Sequence, residues 1–366
     1  MRYNSEYNYT IMQAIKSKDS IVYFQNECYT ALNDYLRKAQ HSKIFILVDS
    51  NTHEHCLAPF LGHIEGDYAI EVIEIEAGEI NKNIETCSGV WNALSELEAD
   101  RKSLLINVGG GVVTDLGGFV ACTFKRGIKY INVPTSLLAM VDASVGGKTG
   151  VDLGNLKNMV GVISESEMVL VDTQYLATLP QNQMRSGLAE MLKHGLIKDA
   201  AYWKQMSDLS NLTEEDLLQL IHASVLIKNE IVLVDPTEQN IRKFLNFGHT
   251  LGHAIESYFL TNDRKPELLH GEAIAIGMIQ EAYLSMKLLG LSEVELTEIK
   301  KVFLATFPKV EILEEDYEAI IKLMIFDKKN TNGNINFVLI DRIGNAKFDC
   351  IVPDELILES FEYYLV

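Results

Sequence analysis

Short apolar runs alternate with helical stretches along the first half of the chain. Five of the runs are typical of buried or half-buried strands: KIFILVD (43–49), AIEVIEIE (69–76), SLLINV (103–108), KYINVP (129–134) and MVLVD (168–172). Between the second and the third, Asn83–Asp100 carries apolar residues at helical spacing. Strands that alternate with helices predict an α/β domain with a mainly parallel, Rossmann-like sheet that is covered on both faces.

The second half repeats apolar residues at helical spacing over long stretches, and prolines are sparse there. The predicted helices are Gln183–Lys198, Glu214–Val234, Gly248–Phe259, Gly271–Leu289 and Glu293–Phe307. Only INFVLI (335–340) and its neighbourhood are typical of a small hairpin. We expect an α/β N-terminal domain over residues 1–180 and an all-helical C-terminal domain over residues 181–366.

Length and charge limit the classes of function. The 366 residues are enough for about two domains of ordinary size. The 32 basic and 51 acidic residues give a net charge of −19. A surface this acidic repels phosphate backbones and anionic lipids, so we expect no nucleic-acid partner and no membrane partner. An anionic substrate then requires a local basic pocket.

The chain has the features of a cytoplasmic protein. Its five cysteines are an odd number without a CxxC pair, which favours reduced thiols. The first residues, MRYNSEYNYT, lack the basic and apolar regions of a signal peptide, and no apolar run is as long as the roughly 18 residues of a membrane span. We therefore expect a cytoplasmic location.

A glycine-rich segment, GGGVVTDLGG (109–118), follows a predicted strand and opens a predicted helix. Glycines there allow backbone N–H groups to approach a pyrophosphate at a helix N-terminus, so Gly110 and Gly111 are candidate nucleotide-binding residues. Thr114 breaks the GxGxxG spacing of the dinucleotide fingerprint. The alternative is a tight turn that requires positive φ. Asp49 ends a strand of the same domain, where a carboxylate can bind ribose hydroxyls.

A second glycine-rich segment, VDASVGGKTG (141–150), contains Lys148. It is similar to the end of a P-loop, but it lacks the first glycine of a P-loop, and the following VDLGNLKN is typical of a loop rather than a helix. The segment therefore favours a loop that presents Lys148 to an anion, with Lys157 and Asn158 close behind.

Three histidines and a glutamate in the helical half are candidate metal ligands. His249 and His253 have the i, i+4 spacing of two ligands on one helical face, and spacing alone selects them as the ligand pair. His270 opens the next helix, and Glu190 lies on an earlier one. One acid and two or three histidines could form an open zinc site. The alternative is that these histidines are solvent-exposed or cap helices.

Several longer segments resemble the 3-dehydroquinate synthase family. They are GGGVVTDLGGFVACTFKRG, NVPTSLLAMVDASVGGKTGVD, LKNMVG, SGLAEMLKHGLI, LNFGHTLGHAIE, LLHGEAIAIGM and DKKNTNGNINFVL. They occur in family order between residues 109 and 339, and the resemblance covers roughly residues 43–344. The resemblance implies a dehydroquinate synthase-like fold, in which an α/β domain binds NAD, a helical domain binds a divalent metal, and the active site lies between them.

The resemblance also implies which residues act. The implied metal ligands are Glu190, His249 and His270, which suit Zn²⁺ or Co²⁺, while His253 is a nearby active-site histidine and not a ligand. The implied substrate-contacting set is Asp142, Lys148, Asn158, Lys193, Lys228, Arg242, Asn246, His253 and Lys329 (or its neighbour Lys328), with Arg126 of the same or the partner subunit of a homodimer. The implied NAD-binding set is Asp49, Glu79, Lys82, Gly110, Gly111, Asp115, Thr135, Ser136, Lys148, Lys157 and Thr178.

The implied reaction converts 3-deoxy-D-arabino-heptulosonate 7-phosphate to 3-dehydroquinate and phosphate, a step of the shikimate pathway. It proceeds by transient oxidation of the substrate by NAD⁺, phosphate elimination, reduction by the NADH formed, ring opening and intramolecular aldol closure. Alternatives are cyclases that act on sedoheptulose phosphate or glucose phosphate, polyol dehydrogenases that release NADH, and a binding protein without catalysis. The residues at positions 228, 242, 246 and 253 fit the dehydroquinate pattern, which favours a substrate with a carboxylate.

Overall fold

The structure, a computed structural model, describes residues 12–154, 156–209, 213–266, 268–324 and 335–366. The strands are β1 (Ile15–Lys16), β2 (Ile21–Phe24), β3 (Ile44–Asp49), β4 (Ile70–Ile75), β5 (Leu104–Gly109), β6 (Lys129–Pro134), β7 (Lys148–Leu153), β8 (Leu156–Ile163), β9 (Val169–Val171), β10 (Asn336–Arg342) and β11 (Asn345–Ile351).

A seven-stranded sheet with the order β1-β2-β9-β6-β5-β3-β4 forms the first half. In this order, every pair of neighbouring strands is parallel except the first, in which β1 pairs antiparallel with β2. Both faces are covered: along β3, Ile44, Ile46 and Val48 point into the larger core, while Phe45 and Leu47 point into a smaller one. The predicted mainly parallel sheet is confirmed.

The α-helices are α1 (Asn26–Ala39), α2 (Ser50–Thr52), α3 (Ala58–Leu61), α4 (Ile84–Glu96), α5 (Gly111–Thr123), α6 (Gln181–Lys198), α7 (Ala200–Met206), α8 (Glu214–Val234), α9 (His249–Thr261), α10 (His270–Leu289), α11 (Glu293–Thr306), α12 (Glu314–Met324) and α13 (Asp354–Leu365). The five helices predicted for the second half are all present as α6, α8, α9, α10 and α11. Their ends differ from the predicted ends by no more than two residues.

Two expectations about the strands need correction. The segment predicted as a loop after Lys148 forms the antiparallel hairpin β7–β8. Gly150 pairs with Gly161 there, and a Cβ on Gly161 would lie 2.3 Å from the carbonyl oxygen of Thr149, so the two strands approach closely because neither residue has a side chain. The second half is also not all-helical, because β10 and β11 form the small hairpin that the INFVLI run predicts.

The larger core joins the sheet to the helices of the second half. Helix α8 is long and apolar enough by length and composition to cross a membrane, but 56% of its apolar window is buried inside the protein, as in a core helix. All five cysteines lie in the described residues and are free thiols, which agrees with the prediction from their number and spacing.

Candidate active site

A cleft of about 910 Å³ opens at the carboxyl ends of the parallel strands and is also lined by helices of the second half. Asp49 ends β3, Gly110 follows β5, and Thr135 and Ser136 follow β6, so all four meet at this edge of the sheet. Open α/β sheets bind ligands at this edge, outside the carboxyl ends of their strands. The sheet topology therefore determines where the cleft lies, and the side chains determine what it can bind.

The N-terminus of α5 is the anion-binding element on the sheet side. Gly110 is its N-cap and offers no side-chain cap, so the first backbone N–H groups are open to a ligand in the cleft. None of Gly109, Gly110 and Gly111 has positive φ, which rules out the tight-turn alternative. Close packing instead explains why residue 109 is a glycine, since a Cβ there would lie 2.5 Å from the Cβ of Val113.

Charged side chains cover the floor of the sheet side. The ammonium of Lys82 lies 2.6 Å from Asp115 Oδ2 and 2.7 Å from Asn158 Oδ1. Burial acts to lower the pKa of Lys82, but Asp115 and Glu79 outweigh it and raise that pKa. Burial acts to raise the pKa of Glu79, but Lys82 and Lys157 lower it to about 2. Lys82 and Glu79 are therefore ionised at neutral pH and are part of a fixed polar surface.

Helix α9 is positioned by a buried carboxylate of α10. Glu281 accepts from the backbone N–H groups of Gly248, Thr250 and Leu251 at 2.6, 3.2 and 3.3 Å, so it caps the N-terminus where His249 lies. The positive end of a helix stabilises such a carboxylate. Close packing of α10 also fixes the N-terminus of α9, because a Cβ on Gly277 would lie 2.0 Å from the carbonyl oxygen of Gly248.

Glu190, His249 and His270 converge from three helices. Glu190 Oε1 lies 3.5 Å from His249 Nε2 and 3.7 Å from His270 Nε2. Two ligands that each bond a tetrahedral zinc ion at about 2.0–2.2 Å lie roughly 3.3–3.6 Å apart. The Glu190 side chain is fully buried, and neither of its oxygens accepts a well-directed hydrogen bond, although the Lys193 ammonium contacts Oε2. This donor set fits a divalent metal ion.

The Nδ1 atoms of His249 and His270 also have acceptors, which hold both rings with Nε2 toward Glu190. His249 Nδ1 lies 3.1 Å from the carbonyl oxygen of Phe247, and His270 Nδ1 lies 3.2 Å from Glu256 Oε2. Each ring therefore donates from Nδ1 and turns Nε2 toward Glu190, and once Nε2 is deprotonated it is the nitrogen that could bind a metal ion. Burial acts to lower the pKa of His270, but Glu256 and Glu190 outweigh it and raise that pKa to about 10.

His253 lies beside these groups. Ligand atoms of His249, His253 and His270 come within 4.8 Å of one another, so the i, i+4 pair chosen from spacing is also close in space. Ligand atoms of Asp142, Glu190 and His194 also lie within 4.8 Å of one another, so they form a second possible metal-binding group. Burial and the adjacent Lys193 lower the pKa of His194 to about 3, so this imidazole is neutral at pH 7. The Glu190–His249–His270 ligand set stays a prediction.

The cationic part of the cleft is built around Lys148, Lys193, Lys228 and Arg242. The Lys228 ammonium binds Asp142, and Arg242 donates to the carbonyl oxygens of Pro236 and Gly146 at 2.6 and 2.9 Å. Together with the half-buried Lys148, the buried Lys193, Lys228 and Arg242 provide the local basic pocket that an anionic substrate requires on an acidic protein.

Most of the sequence-predicted residues reach this one cleft. Those that line it are Asp49, Glu79, Lys82, Gly110, Gly111, Asp115, Thr135, Ser136, Asp142, Lys148, Lys157, Asn158, Thr178, Lys193, Lys228, Arg242, Asn246, His249, His253 and His270. Glu190 is fully buried and does not line the cleft itself, but it lies beside the lining residues His249 and His270. Arg126 does not line the cleft; it is exposed in the turn that follows α5. Lys328 and Lys329 lie outside the described residues.

Sequence reasoning missed two lining carboxylates, Glu238 and Glu256. Glu238 contacts Lys148 and accepts from Asn246 Nδ2 at 2.8 Å, and no periodicity in its loop marks it. Glu256 lies seven residues after His249, two helical turns along the same face of α9, and this spacing was a usable signal.

Comparisons with known proteins agree with this geometry. Two family models match the chain, "3-dehydroquinate synthase N-terminal" over residues 72–186 and "3-dehydroquinate synthase C-terminal" over residues 187–330. A 3-dehydroquinate synthase from Parabacteroides distasonis is 42% identical over 335 residues, which cover 91% of this chain and 94% of that protein.

Two solved structures share the fold. The 2-epi-5-epi-valiolone synthase from Streptomyces hygroscopicus subsp. jinggangensis is 27% identical, with a TM-score of 0.80 over 97% of this chain and 99% of that one. A 2-deoxy-scyllo-inosose synthase is 23% identical, with a TM-score of 0.79 over 95% of this chain and 98% of that one. Since both family models match and a member is similar over most of its length, the chain belongs to the 3-dehydroquinate synthase family.

Proposed function

We propose that this chain is a carbon–oxygen lyase that converts 3-deoxy-D-arabino-heptulosonate 7-phosphate to 3-dehydroquinate and phosphate, using NAD⁺ and a divalent metal ion. The observation that carries the proposal is that, in a member of this family, one cleft is lined both by the uncapped N-terminus of α5 and by His249 and His270, with the buried Glu190 carboxylate beside the two histidines.

The donor set would hold the metal through one carboxylate and two neutral imidazoles, which leaves a coordination position for substrate hydroxyls. When bound, the cation supplies Lewis acidity toward those hydroxyls and NAD⁺ supplies a reversible hydride acceptor. The similar valiolone synthase was solved with NAD⁺ and Zn²⁺ bound, which supports the same pair of cofactors here.

The chain's own residues would bind and orient the substrate. Lys148, Lys193, Lys228 and Arg242 provide charge-assisted hydrogen bonds for the substrate's carboxylate and phosphate. Asn158 and Asn246 add neutral donors and acceptors at the same walls. Because the cations are held by hydrogen bonds to Asp142, Glu238 and backbone carbonyls, little reorganisation is needed when the anion enters.

We also propose that the protein acts as a cytoplasmic homodimer in which the substrate phosphate contacts Arg126 of the partner subunit. Two features support this arrangement. Arg126 is exposed and does not line the cleft of its own chain. Its turn also holds Lys125, Arg126 and Gly127 at positive φ, a conformation that is costly for the first two and is common at functional sites.

The test measures phosphate release from the heptulosonate phosphate by purified protein with NAD⁺, before and after treatment with EDTA, while absorbance reports NADH. We expect release that requires the metal, without net NADH. Net NADH would indicate a polyol dehydrogenase. Turnover of sedoheptulose phosphate or glucose phosphate, with none of the heptulosonate, would indicate a different cyclase.

A further inference from the structure

A chain of alternating charges crosses the cleft from the nucleotide side to the metal side. Lys157 Nζ lies 2.9 Å from Glu79 Oε1 and 3.3 Å from Glu256 Oε1. The other oxygen of Glu256 lies 3.2 Å from His270 Nδ1. Glu79 belongs to the turn after β4, Lys157 to β8 and Glu256 to α9, so three separate parts of the fold meet here.

Glu256 is placed to orient His270. It is on α9, two turns beyond His249, so one helix provides both an imidazole of the donor set and the carboxylate that faces the other imidazole. A carboxylate that accepts from Nδ1 fixes the tautomer with its lone pair on Nε2 and raises the basicity of that nitrogen. Nε2 is the atom that faces Glu190.

Lys157 is placed to hold Glu256. The side chains of Lys157 and Glu256 are only 9% and 8% exposed. A carboxylate this buried is costly to keep ionised unless a cation accompanies it. Lys157 supplies that cation, and its contacts with Glu79 and, at 3.8 Å, with Asp152 fix the ammonium from the other side. Removing Lys157 would therefore disturb Glu256 although Lys157 lies next to none of the three metal-donor residues.

We propose that Glu256 is a positioning residue for the metal ligand His270, and that Lys157, on the nucleotide side of the cleft, holds Glu256 in that role. This inference rests on the proposed function, because it takes Glu190, His249 and His270 as the metal ligands. It predicts that a lysine of the nucleotide-binding wall controls metal affinity in the absence of any nucleotide.

The test measures Co²⁺ affinity without NAD⁺, by competition with a chromogenic chelator, and records the visible absorption of bound Co²⁺. We expect Glu256→Ala and Lys157→Met to weaken binding about 10–100-fold and to alter the Co²⁺ spectrum. Glu256→Gln, which keeps an oxygen acceptor without the charge, is expected to weaken binding by about 5–10-fold and so to rescue it in part. This variant also keeps the test decisive if Glu256→Ala does not fold.

The matched control is Asp316→Asn. Asp316 is also a buried carboxylate that pairs with a lysine, Lys265 at 2.5 Å, but it lies on α12 and not in the cleft. Its variant should bind Co²⁺ like the wild type. Affinities within about twofold of wild type for folded Glu256→Gln and Lys157→Met would overturn the inference. Loss of affinity in Glu256→Gln alone would overturn the role of Lys157. A wild type that binds no Co²⁺ would instead refute the proposed function.

Discussion

The Lys228 ammonium donates to two oxygens of Asp142, the carboxylate Oδ1 at 2.5 Å and the backbone carbonyl at 2.6 Å. The pair joins helix α8 to the turn after β6, and so connects the helices of the second half to the edge of the sheet. Burial acts to raise the pKa of Asp142, but Lys228 and Lys193 hold that pKa well below its ordinary value. The carboxylate is therefore ionised when it faces the cleft.

Breaking this pair should destabilise the fold. Lys228→Met leaves the Asp142 carboxylate without its main partner, and we expect the free energy of unfolding to fall by about 2–3 kcal/mol. The loss should be smaller in the Asp142→Asn/Lys228→Met double variant than the two single effects combined, with a coupling of about 0.5–3 kcal/mol. Urea denaturation of the wild type and the three variants measures this coupling energy, and additive losses would show that the pair contributes no interaction energy.

Close packing of α9 on α10 should control the metal donor set. A Cβ on Gly277 would lie 2.0 Å from Gly248 O and 2.7 Å from Gly252 N, so Gly277→Ala must separate the two helices that carry His249 and His270. We expect a loss of about 1–3 kcal/mol in the free energy of unfolding, together with weaker Co²⁺ binding. Gly89→Ala is the control, because a Cβ there meets nothing within 4 Å, and it should gain about 0.5–1 kcal/mol. Equal free energies of unfolding and equal Co²⁺ affinities for the two variants would contradict the packing argument.

Periodicity predicted most of the fold because most elements bury one regular face. Helix α8 begins and ends at the predicted residues Glu214 and Val234. The hairpin β7–β8 was not predicted, since its strands are stabilised by glycine-to-glycine pairing and by contact with α5, which leave no local pattern. Helix α1 was also not predicted, although its buried Cys28, Leu32 and Leu36 recur every four residues, so that omission was avoidable.

The site was less accessible to sequence reasoning. Spacing joins His249 to His253, but it cannot show that Glu190, on a different helix, approaches His249 and His270, because the tertiary packing of α6 against α10 determines that contact. The resemblance to a family provided what periodicity could not. It did not indicate Glu238, whose contact with Lys148 depends on the conformation of an irregular loop.

The buried His194 should make stability depend on pH. Its folded-state pKa is about 3, against an ordinary value of 6.5, so between these values the unfolded chain binds a proton that the folded chain does not. Stability must therefore fall as the pH decreases from about 6.5, by up to about 1.4 kcal/mol per pH unit from this group. We expect His194→Asn to have a shallower decline between pH 7 and pH 5, measured by urea denaturation. Parallel profiles for wild type and variant would contradict it.

Lys148 should contribute to catalysis more than to stability. Its side chain is 41% exposed and contacts Glu238 at the wall of the cleft, so Lys148→Ala removes a charged contact to the substrate and little packing. We expect kcat/KM to fall by about one to two decades, the equivalent of about 1.5–3 kcal/mol. Lys243→Ala, which removes a lysine paired with Asp349 at the surface, is the control and should change kcat/KM little. Equal kinetics for the two variants would place Lys148 outside the site.

Arg126 should act in the cleft of the partner subunit. Arg126→Ala and Lys148→Ala are each expected to have low activity as pure homodimers, because each site lacks one cation for the substrate. In a heterodimer of the two variants, one site carries both defects and the other carries neither. Random reassembly of an equal mixture makes about half of the dimers mixed, so we expect about a quarter of wild-type activity to return.

The matched comparison pairs Lys148→Ala with Arg242→Ala, two variants whose altered residues both line the cleft of their own chain. Each subunit of that mixed dimer has a defect in its own cleft, so no activity should return. The measurement is phosphate release after the variants are mixed under mild denaturation and refolded. If Arg126 acted in its own subunit, its mixture with Lys148→Ala would also stay inactive, and the turn after α5 would require a different explanation for its positive φ angles.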